Sequence, residues 1–431
     1  MKTMKTKKFF IIVLALFMVF TTLVMAQGAS EETKPKTLFV VLKSETQTDA
    51  FREIFARYEE ETGNKVEIQI LPSGEEFGRL MQTRFATKDY PDVFEMDPGT
   101  KQYVKFRAEE TLYEWTNETV MDQVTDSTRD FQTLNGKIYG VPWSSTGFLG
   151  VFYNKKVFSQ AGVSVPENYS EFFDVAKKLK DAGFIPIYEA INEEWPTQIF
   201  SLDGWTTYVD PVIGDEGVQA IEVNEKRLNE IAAFREVLQK QYDLYANGLL
   251  QPNPLAGTYD DQQEKFGQNK VGMVFQGAWF LGAMEKKFGV DYVNEAIGWF
   301  PLPGEDERGI ATLYPAGQIL VPRLGKNVEE SVELVKFITR PENLAIWYGK
   351  NPGIPVYKSV EPELFSAQSA VLKYVSEGRA TINVQNRLSS SFTDYPKILQ
   401  NMYITGDIDA ALKQLDENFR RTGKARNLPG F

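Results

Sequence analysis

Six short stretches concentrate the residues that can do chemistry: Lys43-Ser44-Glu45, Pro72 to Glu76, Asp97-Pro98-Gly99, Trp143 to Thr146, Glu189 to Trp195, and Gln276 to Trp279. Each mixes aromatic, carboxylate, amide or hydroxyl groups. Aromatic faces cover the apolar C–H face of a pyranose, while charged and amide groups exchange hydrogen bonds with its hydroxyls. Carbohydrate recognition suits this mixture. Other chemistry is closed off, because the 431 residues include no cysteine and no histidine. Disulfides, thiolate or imidazole metal sites and every Ser–His or Cys–His nucleophile are excluded, and neither cofactor nor metal is called for. Paired carboxylates remain available among 59 acidic residues. Glycoside hydrolysis would need two of them about 5 or 6.5–9.5 Å apart across a bond. Against that enzyme, the chain lacks the eightfold strand–helix rhythm of a TIM barrel.

The elements that must position these stretches are alternating strands and helices. Leu38 to Leu42 reads as a buried strand, and a helix follows with Phe51, Ile54, Phe55 and Tyr58 on one face, stopping at Gly63. Lys65 to Leu71 alternates as a second strand, so the opening is a parallel βαβ unit. A helix over Phe77 to Thr87 and a strand ending at Asp97-Pro98-Gly99 come next. Asn135-Gly136 marks a tight hairpin turn before the apolar strand Phe148 to Tyr153. The pattern then restarts, with Ser170 as the N-cap of a helix burying Phe172, Val175, Ala176 and Leu179, and a strand over Phe184 to Tyr188. A helix over Val223 to Tyr245 and strands at Val271 to Phe275, Ile297 to Pro303 and Ile319 to Pro322 are expected. A helix over Val328 to Thr339 and one capped by Asp407 complete the reading. In open α/β sheets ligands sit beyond the carboxyl ends of the strands, which is where the six stretches fall.

Bulk properties narrow the class. The length exceeds one ordinary core and suits two domains. A net charge of −12 repels phosphates, so no nucleic-acid partner is expected. Residues 1–26 have a lysine-rich start, an apolar run from Phe9 to Met25 and small residues at the end, the pattern of a secretory signal peptide. An uncleaved anchor is the alternative, since ~17 apolar residues is the lower limit for spanning. Residues 27–36 read as a flexible tether, and no later stretch is long and apolar enough to span a membrane.

Several separated segments resemble, in order, the extracellular solute-binding proteins that serve sugar ABC transporters, the maltose-binding type among them. They are "PDVF…D" at Pro91 to Asp97, "NGKIYGVP" at Asn135 to Pro142, and "YNKKVFSQAGV" at Tyr153 to Val163. "KVGMVFQGAWF" at Lys270 to Phe280, "YPAGQILVP" at Tyr314 to Pro322 and "GDIDAALKQLDENF" at Gly406 to Phe419 follow. With the βαβ opening they span nearly all of the chain from Leu38 onward.

The resemblance implies an α/β, two-lobed periplasmic binding protein-like fold with three interlobe crossovers, near Val141, Thr312 and Lys358. Residues 37–141 and 313–357 would form lobe 1, and residues 142–312 and 358–431 lobe 2. A carbohydrate, in particular an oligosaccharide, would bind in the cleft, and the lobes would close about the crossovers. An ABC transporter permease would be the protein partner of a monomeric, periplasmic or extracellular receptor, without a lipid anchor because no cysteine is present. The family places a sugar-stacking tryptophan at Trp279 and a hydroxyl-binding acid at Asp97. Trp195, Trp143, Glu75 and Ser44 join them from the cleft loops, and Tyr314 and Gln318 flank the second crossover. Trp143 can equally pack the crossover, and Glu75 with Glu76 can be a solvated helix start. Two departures matter. Glu95-Met96 stands where maltose-binding relatives carry an aromatic, and Phe392 is the sole aromatic of Ser389 to Phe392, where they carry tryptophan. Maltodextrin is therefore disfavoured as the ligand. A carbohydrate-active enzyme and a receptor for a non-sugar solute are the rival readings.

Overall fold

The computed structural model describes residues 35–44, 46, 48–72, 74–351, 353–361, 363–390 and 393–431. The expected signal peptide and most of the tether lie outside them. Among the described residues eleven strands form two sheets. The first holds β1 (Thr37–Lys43), β2 (Lys65–Leu71), β3 (Val93–Met96), β4 (Gly140–Pro142) and, much later in the chain, β10 (Gln318–Leu320), in the order β2-β1-β3-β10-β4. The second holds β5 (Gly147–Asn154), β6 (Ile185–Ile187), β7 (Val271–Gly277), β8 (Ile297–Phe300), β9 (Ala311–Tyr314) and β11 (Ala380–Ile382). Its order is β11-β9-β5-β7-β6, with β8 also paired to β5.

The opening folds as its pattern requires. β1 runs parallel to β2 and β3. The helix Thr48–Thr62 between β1 and β2 buries Phe51, Ile54, Phe55 and Tyr58 under the sheet. The Asn135-Gly136 turn forms with φ of 52° and 77°, values glycine and asparagine tolerate best. It closes on one bridge, Leu134 to Lys137, and β4 then pairs with β10 rather than with a hairpin partner. Elsewhere the boundaries move. Asn168, not Ser170, caps the helix Tyr169–Asp181, its side chain accepting from the Glu171 N–H at 2.9 Å. The helix expected from Val223 begins at Ala232, because Asn224 takes a left-handed φ of 63° and ends the preceding helix Asp210–Glu222. Asp407 caps Ile408–Ala425 as expected, accepting from the Ala410 N–H at 2.9 Å.

Three chain segments join the sheets. Residues 143–146 link β4 to β5, and residues 315–317 link β9 back to β10. β9 belongs whole to the second sheet, so that link follows Tyr314 rather than Thr312. The third passes through residues 358–365: Tyr357 still bridges Val124 in the first lobe, whereas the helix Ser366–Ser376 packs on β8. Each lobe carries its own cores. Trp115, Trp347 and Tyr348 are buried in the first, Trp205, Phe200 and Phe275 in the second. The first sheet is parallel at one edge only, and β5 is antiparallel to β7, β8 and β9.

Candidate functional site

Register places the chemically rich loops at the boundary between the sheets. β10 begins at Gln318, opposite both Met96 and Pro142, while Gly147 lies opposite Tyr314 and Leu149 opposite Gly277. The ends of β1 and β3 in one lobe, and of β7 and β9 in the other, therefore all point at the links.

The first-lobe wall is built on a buried cation. Lys43, the last residue of β1, is 6% exposed, and its ammonium pairs with Asp97 and lies 4.0 Å from Glu95. Glu95, also buried, accepts from the Lys43 N–H at 3.1 Å and from the Thr46 hydroxyl at 2.6 Å. The Asp97 side chain is 50% exposed, so one side of this carboxylate meets Lys43 and the other is open. Gln318 is fully buried and donates to the carbonyls of Asp97 and Gly99 at 2.9 and 3.1 Å. It thus fixes the Asp97 loop from behind. Ser44 is exposed at the end of β1, its N–H donating to the Leu71 carbonyl at 2.9 Å. Glu75 lies in the helix Gly74–Thr87, its side chain outside the described residues. Lys101, in the helix Lys101–Phe106 that follows the Asp97 loop, reaches the other lobe and donates to the Gln385 carbonyl at 3.2 Å.

The second-lobe wall is aromatic. Trp279 opens the helix Trp279–Phe288 directly after β7 and is 44% exposed. Its ring folds over Gly277, where an added Cβ would come within 2.2 Å of the indole; glycine is required by this close approach. The indole N–H donates to Gln276 Oε1 at 2.9 Å. Behind it Gln276 donates to Gln262 at 2.8 Å, and Gln262 donates to the Tyr188 carbonyl at 2.6 Å. This buried amide chain holds the ring in one orientation. Trp195 meets Trp279 edge-on with centroids 5.9 Å apart, and Tyr259 meets Trp195 at 5.2 Å. Trp195 follows Glu194, whose φ of 61° and ψ of −62° are rare for a glutamate. Glu189 starts the same loop, and burial pushes its carboxyl pKa up to about 8. It is a protonated group at neutral pH, behind the aromatic corner in sequence and fully enclosed.

The remaining candidates sit elsewhere. Trp143 is 6% exposed and packed between Phe51 at 5.0 Å and Trp347 at 4.5 Å, so it anchors the first link in the lobe 1 core. Tyr314 is half-buried at the end of β9 and packs against the second lobe's core. Phe392 lies outside the described residues. Sequence reasoning placed Lys43 and Gln276 in the cleft loops without a role for either, and passed over Lys101, Tyr259 and Gln262. Nothing local distinguishes these three. Among the described residues no His, Cys, Asp and Glu grouping could hold a metal ion, and no helix is long and apolar enough to cross a membrane.

Comparisons with known proteins agree with this architecture. A family model described as "Bacterial extracellular solute-binding protein" matches residues 43–345. The chain is similar to the Multiple sugar-binding protein of Streptococcus mutans, 23% identical over 337 residues that cover 76% of this chain and 77% of the relative. Among solved structures, apo RafE from Streptococcus pneumoniae superimposes with a TM-score of 0.75 at 21% identity, covering 90% of this chain and 98% of that one. RafE in complex with raffinose gives a TM-score of 0.74 at 20% identity, covering 89% of this chain and 99% of that one.

Proposed function

This chain belongs to the bacterial extracellular solute-binding proteins, and we propose that it captures an oligosaccharide between its lobes and delivers it to an ABC transporter permease. The aromatic corner of Trp279, Trp195 and Tyr259 carries this reading. A half-exposed, pre-oriented indole offers a face to a pyranose, and Asp97 on the opposed lobe offers an acceptor to hydroxyls. The relatives' names point the same way: one is a multiple sugar-binding protein, and another is solved with raffinose.

Trp279 stacks on one sugar face while Asp97, backed by Lys43, binds hydroxyls from the other side. Ser44 and Trp195 contribute at the edges. Lobe 1 comprises residues 37–142 with 318–357, and lobe 2 residues 147–314 with 366–431. Closure turns on the links, where Pro142, Pro315 and Gly317 absorb the dihedral change. The ligand shifts the equilibrium only by its differential affinity for the closed form. The mature protein works as a monomer outside the cytoplasmic membrane, binds no nucleic acid and performs no catalysis. Both carboxylates of the first wall, Glu95 and Asp97, are engaged by Lys43, which argues against a pair poised for acid–base chemistry.

The test is incubation with a panel of labelled oligosaccharides. One intact sugar retained per chain is expected. Time-dependent appearance of shorter products would transfer the protein to the hydrolases, and retention of none would end the carbohydrate reading.

A further inference from the structure

Lys101 bridges the lobes, and among the described residues it forms no ion pair. Its ammonium donates to the Gln385 carbonyl across the cleft at 3.2 Å. The residue is partly buried, and desolvation lowers its pKa below that of an ordinary lysine. Four charged groups act on it: Asp97 and Glu222 favour the ammonium, and Lys105 and Arg426 oppose it. Asp97 is taken by Lys43. Glu222 accepts from the Ser389 N–H at 2.8 Å, and Arg426 donates to the Ser389 carbonyl at 3.1 Å. An ammonium has three donors, and the described residues offer this one a single neutral acceptor.

Resting on the oligosaccharide reading above, we propose that the captured sugar carries an anionic group, a carboxylate or a phosphate, and that Lys101 binds it. The anion supplies the charge-assisted partner that the protein does not provide. It also explains the placement: Lys101 is in the first turn after the Asp97 loop, so a sugar held by Asp97 at its hydroxyls presents a neighbouring substituent to the ammonium. Neutralising Asp97 through Lys43 removes the repulsion such a ligand would otherwise meet. Lys101 becomes a specificity-determining residue, selecting acidic over neutral sugars of the same size.

Calorimetric titration of the mature chain with trigalacturonate, its methyl ester, galactose 6-phosphate and raffinose tests the proposal. An anionic probe should bind roughly ten- to hundredfold more tightly than the neutral ones, the worth of one charge-assisted contact. The two anionic arms tell carboxylate from phosphate. Lys101→Met should erase that preference, weakening the anionic probes more than the methyl ester and raffinose, while Lys101→Arg should retain part of it. If Lys101→Met does not fold, the native chain still decides: affinity for the anionic probe should fall with added salt more steeply than for its ester. Equal or tighter binding of neutral sugars overturns the inference while sparing the oligosaccharide reading. So does equal weakening of charged and neutral probes by Lys101→Met, which would make the residue a lobe contact. Binding of no carbohydrate at all overturns both.

Discussion

Replacing Trp279 by alanine removes the residue on which the proposed ligand wall is centred. A tryptophan presents up to ~250 Å² of surface, and 44% of this one is open to solvent. If a sugar covers that part, about 100 Å² of apolar surface leaves water, worth ~2.5 kcal/mol at ~25 cal/mol per Å². At 1.4 kcal/mol per tenfold, Trp279→Ala should weaken oligosaccharide binding by roughly ten- to hundredfold. Stability should fall less than for a core tryptophan. Truncating a fully buried one costs ~3–5 kcal/mol, and with nearly half the ring exposed a loss of ~1.5–2.5 kcal/mol is expected here. Trp347→Ala is the control, because that side chain is 5% exposed between Phe51 and Trp143. It should lower stability by the full core amount and leave the affinity of the folded fraction alone. Trp279→Phe keeps an aromatic face but loses the N–H to Gln276, and should fall between native and alanine in affinity. Calorimetric titration and urea denaturation of the three variants are the assays. Unchanged affinity in Trp279→Ala together with a core-sized stability loss would make Trp279 a packing residue and remove it from the site.

Three further outcomes are expected. The Glu189 pKa is raised by burial, so its stabilisation is complete below the unfolded value of ~4.3 and is lost as pH rises through about 8. Glu189→Gln should therefore gain on the native chain by an amount on the order of 4 kcal/mol between pH 5 and 8.5. Urea titrations at the two pH values read this directly, and a constant gap would contradict the assignment. Asp97→Asn should weaken binding by about tenfold, the worth of one hydroxyl bonded to a carboxylate. Losing its ion pair with the buried Lys43 ammonium, which keeps Glu95 at 4.0 Å, should also lower stability, read from the melting transition. Asp203 is buried and accepts from the Leu302 N–H and the Thr312 hydroxyl, both at 2.7 Å. Asp203→Ala strands both donors and should destabilise by ~2–5 kcal/mol in urea with ligand affinity unchanged.

The first lobe was largely legible in the sequence, and the reasons are physical. Leu38 to Leu42, the Phe51–Tyr58 stripe and the alternation from Lys65 are local patterns that burial on one face enforces. The second sheet was harder. β9 and β11 are short and lack an apolar run, so they take their strand character from pairing with β5 and with each other. The stretch from Gln198 carries Gly204 and Pro211 yet continues as helix through a wide turn at Trp205–Val209, because Trp205 and Val209 are held by the lobe 2 core, and it kinks only at Gly214, whose φ is 61°. Crossover positions were recoverable to within a few residues, since Gly, Pro and the family segments mark them. The cleft wall was legible only in outline. Trp279 declares itself by following a strand, but Trp143 has the same signature and is buried by Phe51 and Trp347, partners remote in the chain. Lys43 was placed in a cleft loop and Lys101 was not singled out, and only the fold shows that one lies under Asp97 and the other between the lobes.

The most direct test of oligosaccharide capture is a crystal structure of the mature chain grown with the tightest-binding sugar of the panel. That sugar is expected between the two sheets, with one ring against Trp279 and a hydroxyl within hydrogen-bond distance of Asp97. A sugar bound elsewhere on the surface, or one seated in the cleft without touching either residue, would contradict it.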